Sequence, residues 1–243
     1  MRTIAAHTFF DHALFAVLLV ATAVEYHWVW PRFLARVAAG EPGARSSFYR
    51  AAVFGQWIFT LAFLAYWAWR GRPWSWLRLG PSTPLRQGIG LAFAALLTGF
   101  LVWQRIAVLR RKDAIARVRP QLESALPLLP HTSTENRRFK VVSVTAGVCE
   151  ETLFRGFLLW YFSVWTGTAG GILLSSLVFG LGHLYLGRAH VLKTTLAGIF
   201  FACLAVASNS LWPAILVHAA MDWNSGEIGY RVLSGAPPAA AGP

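Results

Sequence analysis

Residues 147–156 read GVCEETLFRG, and they place two adjacent glutamates and an arginine in the middle of an otherwise apolar segment, residues 139–162. An apolar segment of this length suits a helix that crosses the hydrocarbon core of a bilayer, which is about 30 Å thick. Ionisable side chains inside such a helix cost free energy and therefore mark function by default. The stretch predicts a transmembrane helix that carries a polar site.

The three ionisable residues of this stretch have different positions on a helix. Successive helical residues point about 100° apart, so Glu150 and Glu151 are not expected to face the same partner. Arg155 follows Glu151 by four residues, the favourable order for an ion pair along a helix face. We therefore predict that Glu151 and Arg155 form a pair and that Glu150 is left for chemistry. The simpler alternative is that both glutamates are charge-paired and only hold the helix in a bundle.

The rest of the chain has the composition of a membrane protein. Of its 243 residues, 56% are hydrophobic and 13% are charged, and the mean hydropathy is +0.50. This composition predicts an all-α, polytopic transmembrane bundle, a single membrane domain over residues 1–243, and excludes a soluble domain with a polar surface. The Pro/Ala/Gly-rich tail, residues 235–243, is predicted to be disordered. The sequence predicts seven spans, at about residues 13–30, 51–69, 88–109, 139–162, 170–186, 191–207 and 211–223.

The net charge of +12 does not indicate nucleic-acid binding, because the basic residues lie in the loops between apolar spans and do not form one face. By the positive-inside rule, their distribution places the N-terminus outside and the C-terminus in the cytoplasm. Cys149 and Cys203 both lie in apolar helices, so a disulfide framework is not indicated.

Three of the predicted spans bring polar side chains to similar depths in the cytoplasmic half of the bundle. Glu150 lies about 15 Å from the cytoplasmic end of its helix, His183 is nearer to that end, and His218 shares one helical face with Asp222. A carboxylate with two imidazoles suits general-base activation of a water molecule. Two histidines and a carboxylate are also typical ligands of a catalytic zinc ion. Because the sequence contains no HExxH motif, we expect no cofactor and keep zinc as the alternative.

Three short motifs on separate apolar segments carry a family resemblance. They are Glu150-Glu151-x3-Arg155, Phe179-x3-His183 and His218-x3-Asp222. In this order they resemble the CPBP family, which comprises the CAAX prenyl proteases and the bacteriocin-processing enzymes and is also called the Abi family of intramembrane glutamate proteases. The resemblance covers residues 129–224, a CAAX-protease-like catalytic core. Residues 210–219, SLWPAILVHA, are similar to bacterial members, which predicts a bacterial inner membrane as the location.

The resemblance implies hydrolysis of peptide bonds within a helical bundle that is open to the cytoplasmic leaflet. Glu150 and His183 would activate the attacking water. His218 and the residue at 222 would stabilise the tetrahedral oxyanion. The residues that support the site would be Glu151, Arg155 and Phe179.

Asp222 stands where the eukaryotic members of the family carry asparagine. An ionised aspartate cannot donate a hydrogen bond to an oxyanion, so Asp222 must be protonated or must instead orient His218. We expect an intramembrane endopeptidase that acts on membrane-associated protein or peptide substrates, in contact with the lipid bilayer and not with nucleic acid. The alternatives are a catalytically silent membrane scaffold or immunity protein, a small transporter that uses Glu150 and the histidines as a relay, and a zinc-dependent form of the same protease.

Overall fold

The computed structural model describes residues 7–111, 120, 122 and 125–234. Every regular element in this part of the chain is helical, so the predicted all-α class is confirmed. The tail that the sequence predicts to be disordered, residues 235–243, lies outside the described residues. The α-helices are α1 (Phe9–Val24), α2 (Trp30–Ala38), α3 (Ala44–Trp69), α4 (Pro84–Leu109), α5 (Ser133–Glu150), α6 (Leu159–Leu181), α7 (Arg188–Ser208) and α8 (Trp212–Ser234).

Two π-helical segments join consecutive α-helices. Glu25–Val29 joins α1 to α2, and Glu151–Leu158 joins α5 to α6. Segments of this kind widen the helical turn and frequently occur at functional sites. The second one begins at the second glutamate of GVCEETLFRG, so residues 147–156 contain a change of helix type. The described residues also contain the short 3-10 turns Trp74–Leu77 and Leu184–Leu186.

Local sequence signals explain where the helices around the site begin and end. Thr132 and Glu135 form a capping box at the start of α5, in which each side chain binds the backbone N–H of the other residue. Asn209 ends α7 in the left-handed conformation, with φ of 49°. Pro213 lies in the first turn of α8, where its missing N–H leaves no helical hydrogen bond unmade.

Within the part of the chain that the structure describes, five helical stretches are long and apolar enough to cross a membrane, by length and composition. The exact number of seven predicted spans is therefore not confirmed. The five stretches are Phe9–Ala38, Ala44–Trp69, Pro84–Leu109, Ser133–Leu181 and Arg188–Ser208.

The fourth of these stretches contains the predicted fourth and fifth spans as two arms of one helical hairpin. Its 49 residues would extend about 74 Å in a straight helix, far beyond a bilayer core of about 30 Å. The helix is interrupted at Gly167, which has φ of 71° and ψ of 176°, a conformation that glycine adopts without steric cost. Beyond Gly167 the chain turns back, as shown by the ring centroids of Phe154 and Phe179, which lie only 5.0 Å apart.

The predicted seventh span lies in α8, which continues to Ser234 and is not among the five apolar stretches. Its buried residues include the polar side chains His218, Asn224 and Glu227, which lower its hydropathy. The helix packs closely against α5 at Gly147, where an added Cβ would lie 2.9 Å from the Ile215 carbonyl oxygen. Small residues at such crossings let two backbones approach each other. This contact brings α8 next to the two glutamates.

Two apolar clusters lie on either side of the polar side chains of α5, the π segment and α8. The first cluster joins α3, the π segment and α6, and the second joins α4, α7 and α8. Their buried members form the core on either side of the site: Phe63, Trp67, Leu77, Leu153, Phe157, Leu158, Trp160 and Tyr161 in the first, and Ala94, Phe201, Ala205, Leu211, Ala214, Ile215 and Val217 in the second.

Candidate active site

A fully buried ion pair lies at the base of the site. Glu151 Oε1 accepts a hydrogen bond from Arg155 Nη1 at 2.8 Å, and neither side chain has any exposed surface. The pairing that the sequence predicts is thus confirmed. The same Oε1 lies 2.7 Å from Nδ1 of His218, which comes from α8. The pair therefore also holds a histidine that lies 67 positions away in the sequence.

Both glutamates face the imidazole of His218, and the expectation that they would not share a partner is wrong. Glu151 occupies the Nδ1 edge, and Glu150 Oε2 lies 3.8 Å from Nε2. Two features account for this difference. The helix becomes π-helical at Glu151, where the angle between successive residues is smaller than in an α-helix. The imidazole also presents nitrogens on two different edges, so one ring can meet two carboxylates.

The hydrogen bond to Glu151 fixes the direction in which His218 can act. An ionised carboxylate only accepts hydrogen bonds, so Nδ1 of His218 donates to Glu151. The other nitrogen, Nε2, then faces Glu150 at 3.8 Å and Asp222 Oδ2 at 3.7 Å. The sequence prediction that His218 and Asp222 lie on one helical face is confirmed by this contact.

The carboxylates around His218 differ sharply in their exposure. Glu151 is fully buried, whereas the side chain of Glu150 is 18% exposed and that of Asp222 is 40% exposed. The site therefore has a closed side, which contains Glu151 and Arg155, and an open side, which contains Glu150 and Asp222. Only the carboxylates of the open side reach the molecular surface.

His183 reaches the same region from the end of α6. Its Nδ1 lies 2.9 Å from the carbonyl oxygen of Phe179. Because a carbonyl only accepts, Nδ1 donates, and Nε2 of the neutral ring is left as an acceptor. The Phe179 ring contacts His183 at 4.8 Å and His218 at 5.9 Å between ring centroids. Phe179, which the sequence identifies as a supporting residue, thus contacts both histidines.

Aromatic rings surround the positive charge of Arg155. Its guanidinium carbon lies 4.1 Å from the centroid of Phe179 and 5.2 Å from that of Phe201. The Phe201 ring in turn stacks on His218, at 5.0 Å and an interplanar angle of 8°. Cation–π contacts of this type stabilise a buried cation without adding a second negative charge. The aromatic rings therefore fix both the arginine and the histidine.

Sequence reasoning missed one residue of the site, Gln56 of α3. Its Nε2 donates a hydrogen bond to Glu150 Oε1 at 2.9 Å. The signal that could have identified it is its polarity, since Gln56 is a lone amide in the apolar span predicted at residues 51–69. Nothing in the sequence alone, however, indicates which helix that amide faces.

The arrangement of possible ligands bears on whether the site could hold a metal ion. Among the residues that the structure describes, no three His, Cys, Asp or Glu side chains are grouped so that they could hold a metal ion. Nδ1 of His183 and Nδ1 of His218 are each engaged by a protein oxygen. Zinc remains the alternative to a reaction without a cofactor, and its content in the purified protein is the measurement that distinguishes the two.

Comparison with known proteins supports the resemblance that the motifs carry. Residues 137–224 match the family described as "Rce1-like: Type II CAAX prenyl endopeptidase Rce1-like". This match confirms the predicted resemblance to CAAX proteases, and the family implies a protease. Neither a curated protein nor a solved structure matches the chain. The matched segment includes all seven residues that the sequence identifies for the site and does not include Gln56.

Proposed function

We propose that this protein is an intramembrane endopeptidase that hydrolyses peptide bonds of membrane-associated proteins or peptides with a water molecule activated by Glu150. One observation carries this proposal. His218 is held by the buried Glu151 and presents Nε2 to two partly exposed carboxylates, within a segment that matches a protease family. The closed side gives rigidity, and the open side gives access.

In the proposed reaction Glu150 is the general base. A water molecule between Glu150 and Nε2 of His183 loses a proton to the Glu150 carboxylate while its oxygen attacks the scissile carbonyl carbon. The carbonyl π bond breaks and a tetrahedral oxyanion forms. When this intermediate collapses, the C–N bond breaks and Glu150 returns the proton to the leaving amine. Glu150 ends in its starting state, so the cycle needs no further reactant.

His218 stabilises the oxyanion in this proposal. With Nδ1 donating to Glu151, a protonated Nε2 can donate to the negative oxygen as it develops. The buried Glu151 carboxylate balances the positive charge that the ring then carries. Asp222, 3.7 Å from Nε2, orients the ring and draws the Nε2 proton towards the open side. This assignment gives Asp222 a role that does not require it to donate a hydrogen bond.

The proposed site works from the cytoplasmic side of a bacterial inner membrane. The positive-inside distribution supports this orientation, and the five apolar helices support an integral membrane protein. The matched family is described as a type II CAAX prenyl endopeptidase. For this chain we propose the broader class, membrane-associated proteins and peptides, of which a prenylated protein is one case.

The test is a comparison of protein termini in membranes that contain the wild-type protein or Glu150→Gln. The amide has the size of the carboxylate but cannot take a proton from water, so trimmed termini should disappear while the protein remains folded and inserted. Glu41→Gln is a matched control, because Glu41 is in an exposed pair with Arg36 and should leave the termini unchanged.

Three further results would change the proposal. Identical termini with Glu150→Gln and with the wild type would support the silent scaffold instead of the protease. One zinc ion per chain in the purified protein, lost on substitution of His183 or His218, would replace the cofactor-free reaction with its zinc-dependent alternative. Substrate flux in sealed vesicles without cleavage would support the transporter.

A further inference from the structure

Helix α3 contacts the catalytic segment through polar side chains although it lies outside the segment that matches the protease family. Gln56 Nε2 donates to Glu150 Oε1 at 2.9 Å, and Trp57 Nε1 donates to Thr145 Oγ1 at 3.2 Å. Both donors come from one turn of α3, and both acceptors belong to α5. The site therefore depends on a helix for which the family match, residues 137–224, gives no expectation.

Of these two hydrogen bonds, the one from Gln56 to Glu150 is of the stronger type, because its acceptor is a carboxylate. A hydrogen bond to an ionised group is roughly twice as strong as one between neutral groups. An amide on a membrane helix is also costly unless its groups find partners, because no water is present in the bilayer core. Gln56 uses its donor on Glu150, while its Oε1 is buried and has no partner among the described residues.

The hydrogen bond decides which oxygen of Glu150 faces the histidine. Gln56 holds Oε1, and this leaves Oε2 directed at Nε2 of His218, 3.8 Å away. At 3.8 Å the approach of Glu150 to His218 is too long to be a hydrogen bond, so it cannot by itself fix the carboxylate. The orientation of Glu150 towards His218 therefore depends on a hydrogen-bond donor that comes from α3.

We propose that Gln56 is a positioning residue for Glu150, which it holds in the orientation needed to accept a proton from water. The proposal rests on the proposed function, because it assigns Gln56 a role in that reaction. It also makes a separate structural claim, that the amide binds the Glu150 carboxylate whether or not the protein cleaves anything. The two claims have separate tests.

The first test needs no substrate. The infrared difference spectrum of the wild type minus Glu150→Gln, recorded on the purified full chain in lipid nanodiscs, isolates the carboxylate band of Glu150. The same difference taken in a Gln56→Met background should show this band at a shifted frequency, because its N–H donor is lost. In a Trp57→Phe background the band should not move. An unmoved band with Gln56→Met would overturn the proposal.

The second test measures cleavage of a synthetic peptide that spans a terminus found in the membrane comparison. Gln56→Met should lower kcat by about 10- to 100-fold, because misplacing a reacting group by about 1 Å costs up to about 100-fold. KM should stay within about twofold, since Gln56 does not bind the peptide. Trp57→Phe, which loses the neighbouring α3–α5 hydrogen bond, should keep kcat within about twofold.

If Gln56 only fills space, Gln56→Glu should keep the wild-type kcat, because the two side chains have the same shape. Glutamate has the shape of glutamine but repels the Glu150 carboxylate, so a positioning role predicts a lower kcat than Gln56→Met. Wild-type kcat with Gln56→Glu would contradict the proposal. Failure of the proposed function looks different: no peptide would be cleaved by any variant, and the infrared band would still report whether Gln56 binds Glu150.

Discussion

The described residues include two buried arginine–carboxylate pairs, and these pairs are built differently. In the first, Arg72 donates to both oxygens of Asp11 at 2.7 Å. Asp11 also accepts from the Thr8 backbone and hydroxyl and from the Tyr66 hydroxyl. The hydrogen bonds of this pair go to hydroxyl groups and a backbone N–H, and none of them reaches the histidines or the glutamates of the site.

The pair of Glu151 and Arg155 has hydrogen-bonding capacity left over. The two side chains share a single bond at 2.8 Å, and Glu151 Oε2 and two nitrogens of Arg155 have no partner among the described residues. Its additional bond goes to His218, which faces the open side of the site. A buried pair of this kind is costly. We infer that the saturated pair mainly stabilises the fold, whereas the unsaturated pair serves the proposed reaction.

The largest expected effect is that of Glu151→Gln. The neutral amide leaves the buried charge of Arg155 uncompensated, which should lower the free energy of unfolding by about 3–5 kcal/mol. It also weakens the support of His218, so kcat should fall by about 100-fold. Thermal unfolding and peptide cleavage in nanodiscs measure the two effects. Combining Glu151→Gln with Arg155→Gln should restore part of the stability and none of the activity; full activity in either variant would remove the distinction between the two pairs.

Asp11→Asn should affect stability alone. The substitution removes the charge that Arg72 pairs with, at a cost of about 3 kcal/mol because the aspartate is fully buried. The kcat of the folded molecules should stay within about twofold, since no bond of this pair reaches the site. The measurement is the melting temperature together with the kcat at a temperature where the variant is folded. A large loss of kcat would show that the first pair also supports catalysis.

Gly147→Ala tests how α8 brings His218 to Glu151. The new Cβ would lie 2.9 Å from both the Ile215 carbonyl oxygen and the Ala219 side chain, so α8 must move, at a cost of about 1–3 kcal/mol. Stability and cleavage should fall together. Gly99→Ala in α4 is the matched control, because its Cβ would meet nothing within 4 Å. This substitution should leave cleavage unchanged and raise stability by at most about 1 kcal/mol.

The smallest effect is expected from a third polar cluster, beyond the end of the predicted seventh span. Burial acts to raise the pKa of Glu227, but hydrogen bonds from Asn136 and Arg231 and the charge of Lys140 outweigh it and lower the pKa. A carboxyl whose pKa is lower in the folded state than in the unfolded state stabilises the folded state. This stabilisation is fully present at pH values above the pKa of the unfolded state, about 4.3. This stabilisation is lost as the pH falls through the folded value.

Thermal unfolding measured between about pH 6 and pH 3 should therefore show a loss of stability for the wild type at the acidic end. Glu227→Gln should lower the melting temperature near neutral pH and make the acidic decline shallower. Glu41→Gln, in an exposed ion pair, should change neither. The same pH dependence in the wild type and Glu227→Gln would contradict the assignment to Glu227.

Much of the site could be predicted from local spacing. The four-residue intervals between Glu151 and Arg155 and between His218 and Asp222 each fix two side chains on one helical face, and both pairs are in contact. The apolar composition determined the helical class, and the three motifs determined the family resemblance. These properties follow from the period of a helix and from the cost of charge in an apolar segment, which the sequence alone displays.

Only the tertiary structure decided how these helices share their polar groups. The packing of α8 brings one imidazole to both glutamates, and the reversal at Gly167 converts one continuous helical stretch into a hairpin. The close approach at Gly147 and the bond from Gln56 join residues that are distant in sequence. Such contacts depend on the packing of whole helices against one another, and no local period in the sequence encodes which faces will meet.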